Sequence, residues 1–216
     1  MDLDNEKQRV TLKAVYYGPA LSGKTTNILR LHDRLATDRR GDLVMLDTYQ
    51  DRTLFFDLLP FFIEAPSGLG IKIKTCTVPG QVRYDATRKA VLSRADGIVF
   101  VADSQVSEQR NNAESFRNLE INCRALGMDL TKIPLIVQYN KRDLTHIVSE
   151  QEVKDRWSST GIPIHFASAL QGVNVVEVFL ILMGMMYDVC DAEMKLAQTH
   201  GLSRESFLNE LGFRND

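Results

Sequence analysis

The sequence predicts an α/β fold: a mostly parallel central sheet with one antiparallel hairpin strand and helices on both faces. Three observations carry this. G-I-V-F-V-A-D (97–103) and P-L-I-V-Q-Y-N (134–140) are near-continuous apolar runs, as expected of parallel strands buried on both faces. Longer amphipathic segments alternate with these runs, which places helices between successive strands. P-S-G-L-G (66–70) separates F-F-I-E-A (61–65) from I-K-I-K-T-C-T-V (71–78), so that pair reads as a hairpin.

In chain order, L-K-A-V-Y-Y (12–17) is the first strand, followed by a glycine-bounded loop and a helix over 25–36. L-V-M-L-D (43–47) is an extra strand before the hairpin. Helices are expected near 84–94, 108–126, 149–159 and 173–198, and I-P-I-H-F-A-S-A (162–169) reads as the last strand. Residues 1–198 form one domain. The tail, 199–216, contains L-S-R-E-S-F-L-N-E-L-G-F, a short terminal helix ending at Gly212.

A length of 216 residues with 44% hydrophobic and 25% charged content fits one globular domain with a real core. The net charge of −2 supplies no basic footprint, so nucleic acid is not an expected partner. Cys76, Cys123 and Cys190 have no metal-ligand spacing and fit reduced thiols in the cytoplasm. The N-terminus is unlike a signal peptide, Asp2 excludes myristoylation, and F-R-N-D is not a prenylation box. Glu177 interrupts the most apolar stretch, 173–187, which therefore reads as a buried helix and not as an integral membrane segment.

G-P-A-L-S-G-K-T (18–25) matches G-x-x-x-x-G-K-[ST] between a strand and a helix. Backbone N–H groups from Ala20 through Leu21, Ser22, Gly23, Lys24 and Thr25 can converge on a β-phosphate at the helix N-terminus, with Thr26 next in line. Gly18 and Gly23 allow close backbone approach. Lys24 would place its charge between the β- and γ-phosphates, and the Thr25 hydroxyl would ligate Mg²⁺. This is a site for a nucleoside triphosphate.

N-K-R-D (140–143) follows a strand directly, where open α/β sheets bind ligands. Asp143 can accept from both ring N1–H and the exocyclic amine of guanine, a donor pair that adenine lacks. Asn140 can bridge neighbouring loops, and the stem of Lys141 can lie over the ring. S-A-L (Ser168, Ala169, Leu170) after the last strand offers the Ala169 N–H to the guanine carbonyl. The nucleotide is read as GTP or GDP.

Across 11 to about 190 the sequence resembles the Ras-like small GTPases, with a P-loop G domain, and within them the bacterial MglA family. The likeness rests on V-Y-Y-G-P-A-L-S-G-K-T-T-N (15–27), D-R-T-L-F-F-D (51–57), T-V-P-G-Q-V-R-Y-D-A-T-R-K (77–89), D-G-I-V-F-V-A-D-S-Q (96–105) and Q-Y-N-K-R-D (138–143). That family carries T-V-P-G-Q where other small GTPases have D-x-x-G-Q, so the resemblance implies that Thr77 is a family feature. It further implies slow GTP hydrolysis that a Roadblock-fold activator, MglB, accelerates. The GTP form would mark a cell pole and recruit polarity or motility effectors.

Mg²⁺ keeps several waters and few protein ligands. Thr25, Thr53, two phosphates and two waters complete an octahedron without a carboxylate. Losing an outer-sphere partner weakens metal affinity by about 10–100-fold without abolishing it. Asp51 and Asp57 are alternative sources of a carboxylate. Gly80 can donate its N–H to the γ-phosphate, and Gln81 stands where a residue orients the attacking water. In the resembled family an arginine at the place of Arg52 acts as a built-in finger; Arg83 and Arg88 are rivals by position. Gln81 and Arg52 are thus the candidate catalytic residues.

L-F-F-D-L-L-P-F-F-I (54–63) is apolar enough for part to face the core and part to meet a partner. Two function classes compete: a GTP-hydrolysing switch, and a scaffold in which bound GTP is structural. Thr77 motivates the second; Gln81 and Arg52 favour the first.

Overall fold

The period-two alternation of β2 (Arg9–Tyr17) sends its side chains to two separate cores. Val10, Leu12, Ala14 and Tyr16 join one apolar cluster, Val15 and Tyr17 the other. In the computed structural model, residues 2–4, 8–35, 44–45, 57–79 and 85–213 are described. The first cluster lies under α1 (Lys24–Arg34) and α5 (Val175–Met194), where Ile28, Leu31, Phe179 and Leu182 are fully buried. The second lies under α2 (Asp85–Leu92), α3 (Gln109–Ala125) and α4 (Glu150–Trp157), through Leu92, Leu119 and Val153. Helices therefore cover both faces, as the sequence predicts.

The remaining strands are β1 (Asp2–Asp4), β3 (Val44–Met45), β4 (Asp57–Glu64), β5 (Gly70–Thr77), β6 (Gly97–Asp103), β7 (Leu135–Asn140) and β8 (Ile164–Phe166). The sheet runs β3-β4-β5-β2-β6-β7-β8. β5, β2, β6, β7 and β8 are parallel, and β4 is the antiparallel hairpin partner of β5. Two short antiparallel pairs extend this plan: β3 with β4, and β1 with the start of β2. β1 has no sequence signal, because three residues carry no periodicity. The last strand is also shorter than 162–169, since the backbone after Phe166 turns to form the Ser168–Val173 bridge.

The expected helix over 173–198 is two helices. Lys195 takes a left-handed conformation (φ 53°) and ends α5, and α6 (Leu196–His200) begins beyond it. The Asp191 carboxylate accepts from Ala197 N–H at 2.8 Å, which satisfies a donor at the new helix start. The chain then reverses at Gly201 (φ 67°), and α7 (Arg204–Glu210) packs back over α5. Ser203 caps α7 by accepting from Ser206 N–H at 3.1 Å, and Gly212 (φ 69°) follows its end.

The terminal segment belongs to the first core. Phe207 is fully buried, its ring 5.3 Å from that of Tyr187, whose hydroxyl donates to Leu202 O at 2.6 Å. Phe207→Ala is expected to lower folding stability by about 3–5 kcal/mol, the usual cost of emptying a buried aromatic site. Urea titration should show a lower midpoint with an unchanged slope.

Among the described residues, no helix is long and apolar enough to cross a membrane. The three cysteines form no disulfide and are buried, and burial pushes each thiol up to about 11. None is a poised nucleophile at neutral pH.

Candidate nucleotide-binding site

Because β2, β6, β7 and β8 are parallel, their carboxyl ends share one edge, and the sequence motifs emerge there together. The loop after β2 alternates backbone hands: Leu21 has φ 61° and Gly23 φ 99°. Such alternation points successive N–H groups into one concavity. A Cβ at Gly18 would lie 2.2 Å from Val101 O, so the loop sits directly on β6. Ala20 and Leu21 face solvent, while Ser22 is fully buried with no hydrogen-bond partner for its hydroxyl among the described residues.

Lys24 is buried (7% exposed), and its ammonium donates to Gly18 O at 3.1 Å and Pro19 O at 2.6 Å. The buried ammonium thus lies against the loop carbonyls, beside the concavity in which a phosphate would sit. Thr25 is exposed in the first turn of α1 and Thr26 is half-buried. The cradle, the buried lysine and the exposed threonine fit a phosphate chain with Mg²⁺.

Two amides of β7 hold this loop from below. Asn140 Nδ2 donates to Ser22 O at 2.8 Å, and its Oδ1 accepts the Ala169 N–H at 2.8 Å. Gln138, on the same face, donates to Asn27 Oδ1 at 2.9 Å, and Asn27 Nδ2 donates to Gly23 O at 2.9 Å. Asn140, Gln138 and Asn27 are all buried. A Cβ on Gly23 would fall 2.2 Å from Asn140 Nδ2, so this glycine exists for the close approach. Gly23→Ala should break the Asn140 bridge and weaken nucleotide binding by about 1–3 kcal/mol, the cost of an orphaned buried polar group, measurable by fluorescent-GDP titration.

On the base side, Lys141 has φ 67° and its ammonium pairs with buried Asp103 at 2.5 Å. Asp143 Oδ1 accepts from the Ser168 hydroxyl at 2.5 Å, which fixes the carboxylate against the S-A-L loop. Arg30 on α1 secures that loop by donating to Ala169 O at 3.2 Å and Leu170 O at 2.5 Å. Leu170 itself is 67% exposed. One expectation changes form: the Ala169 N–H already bonds Asn140, so contact with a guanine carbonyl would require a shared hydrogen bond.

Residues 47–188 match the Ras family. The chain is 44% identical over 175 residues to the mutual gliding-motility protein MglA of Myxococcus xanthus (strain DK1622), spanning 81% of this chain and 90% of that protein. It belongs to the Ras family, in the branch of MglA. More distant similarity links it to ADP-ribosylation factor-like protein 4D of Mus musculus, 27% identical over 117 residues, 53% of this chain and 56% of that one. The Bos taurus protein of the same name is 26% identical over the same shares.

The Ras-family frame places the switch candidates by chain position only. Arg52, Thr53, Gly80 and Gln81 lie outside the described residues, as do Asp51 and Arg83. Thr77, at the aspartate position of D-x-x-G, ends β5 in register with Tyr16 and is buried. Asp57 begins β4 opposite Met45. Arg88, a positional rival of Arg52, is buried, and its Nη2 donates to Asp85 Oδ1 at 3.1 Å.

Sequence reading missed Asn27, Arg30, Asp103 and Gln138. A glutamine in the middle of the otherwise apolar L-I-V-Q-Y was the available signal, because a buried strand amide must find a partner.

Proposed function

We propose that this protein is a GTP-binding and GTP-hydrolysing molecular switch, slow alone and stimulated by a Roadblock-fold activating protein of the MglB type. One observation supports it above others: Asn140 joins the phosphate loop at Ser22 O to the base loop at Ala169 N. Phosphate and base would then be read by one connected unit, with the N-K-R-D carboxylate, held by the Ser168 hydroxyl, accepting from guanine. The binding set is Gly18 to Thr26, Thr53, Gly80, Asn140, Lys141, Asp143 and Ser168 to Leu170. Thr25 and Thr53 would hold Mg²⁺, which supplies charge neutralisation between the β- and γ-phosphates. Gln81 orients water and Arg52 stabilises charge on the phosphoryl group.

Through GTP-dependent contacts the protein controls cell polarity or motility from the cytoplasm, with recruitment to a pole. Similarity to a gliding-motility protein supports this role. Phosphate release by the purified protein, with and without a Roadblock-type partner, tests the reading: turnover should be slow alone and clearly faster with the partner. Absence of turnover in both would favour the scaffold, the reading that buried Thr77 in place of an aspartate motivates.

The metal assignment has its own test. Thr25→Ala should weaken Mg²⁺-dependent GTP binding by about 10–100-fold. Thr77→Asp should leave it unchanged or tighter. Magnesium titrations of GTP affinity compare the two, and the reverse order would remove Thr25 from the metal site.

A further inference from the structure

The root of α2 is held by a polar cluster that neither the phosphate loop nor the base pocket uses. Asp85 is the first residue of α2 and stands four positions after Gln81. Its Oδ1 accepts from Asn122 Nδ2 at 3.1 Å, Arg88 Nη2 at 3.1 Å and Asn118 Nδ2 at 3.4 Å. Lys89 Nζ pairs with Oδ2 at 2.8 Å. The Lys89 ammonium, with the amides and Arg88, holds this carboxyl well below the usual carboxylate range. It is an anion at every working pH.

The cluster reaches the residue that precedes the phosphate loop. The Tyr17 hydroxyl donates to Asn118 Oδ1 at 2.5 Å and accepts from Asn122 Nδ2 at 3.2 Å. Tyr17 and Asn122 are fully buried. Burial pushes the Tyr17 hydroxyl up to about 12, so it remains a donor at neutral pH. Tyr17 is the last residue of β2 and the chain neighbour of Gly18.

Packing α2 on α3 requires only an apolar seam, which Leu92 and Leu119 already contribute. A charged acceptor with four donors adds direction, because hydrogen bonds to a charge constrain angle as well as distance. Along the chain, its two ends adjoin the phosphate loop and the segment that carries Gln81. We propose that Asp85 and Tyr17, joined through Asn118 and Asn122, are positioning residues that set the segment carrying Gln81 relative to the phosphate loop. This rests on the GTPase reading above.

The test uses Asp85→Ala, Asp85→Asn and Tyr17→Phe in the full chain, without a partner protein. Single-turnover GTP hydrolysis, GDP affinity and GTPγS affinity are measured for each. Asp85→Ala should slow hydrolysis about tenfold, as expected of a misplaced reacting group, with GDP affinity within about twofold of wild type. Tyr17→Phe, which removes one oxygen and keeps the ring, should slow it about threefold, in the range of couplings carried through neighbours. Asp85→Asn retains an acceptor for Asn122 and should recover part of the loss.

Unchanged hydrolysis in Asp85→Ala and Tyr17→Phe overturns the proposal, as does an equal loss of GDP and GTPγS affinity that explains any slowing. Should wild-type protein show no hydrolysis above buffer, either alone or with a Roadblock-type activator, the GTPase reading fails by itself. The ratio of GTPγS to GDP affinity then decides: a fall of about threefold in Asp85→Ala supports positioning, and an unchanged ratio overturns it.

Discussion

Arg52→Ala or Gln81→Leu should each remove most activator-stimulated phosphate release while GTP still binds. Charge develops on the transferring phosphoryl group, and an arginine supplied there changes the rate by about 10³–10⁵, or about 4–7 kcal/mol. Gln81 would act on the other reactant, the water. Both groups would then serve one transition state, so the double variant should be little slower than the worse single one. GTP binding should survive because the loop at 18–25, tied to β7 by Asn140, holds the ground state independently. Single-turnover release with saturating Roadblock-type activator, beside GTP affinity for each variant, makes the measurement. Rates within about threefold of wild type, under 1 kcal/mol, would leave both residues without a catalytic role and put the scaffold first.

Asp143→Asn should weaken GTP binding by about 1.5–3 kcal/mol for each hydrogen bond to the lost charge, or tenfold to a hundredfold per bond. The substitution is close to isosteric, and the amide oxygen can still accept from the Ser168 hydroxyl, so the S-A-L loop should keep its place. The amide nitrogen would then face the base. Guanine presents a donor there and is repelled, whereas xanthine presents an oxygen and is accepted. Relative affinity should therefore shift toward XTP in competition titrations. An unchanged preference for GTP would remove Asp143 from the base pocket.

Much of the site was legible because its signals are local. G-P-A-L-S-G-K-T specifies its own turn: the φ of 99° at Gly23 costs little only without a Cβ, and Lys24 and Thr25 follow at the helix start. N-K-R-D needed only the strand before it. The hairpin was announced by P-S-G-L-G, and the Phe61–Ile73 and Ile63–Ile71 pairs follow in register. Arg52, Thr53, Gly80 and Gln81 follow from chain position and family resemblance, and they lie outside the described residues.

The sequence by itself determined the α/β class, the order of phosphate and base motifs, and the terminal helix, because each depends on neighbours within a few residues. Tertiary structure decided what those motifs touch. Asn140 meets Ser22 across 118 positions, and Gln138 meets Asn27 across 111. It also chose Asn140 as partner of the Ala169 N–H, broke the last long helix at Lys195, and seated Phe207 against Tyr187. Such pairings follow from which polar groups are left unsatisfied, and which apolar faces uncovered, once the sheet has closed. No local propensity encodes that, because the partner lies on another element.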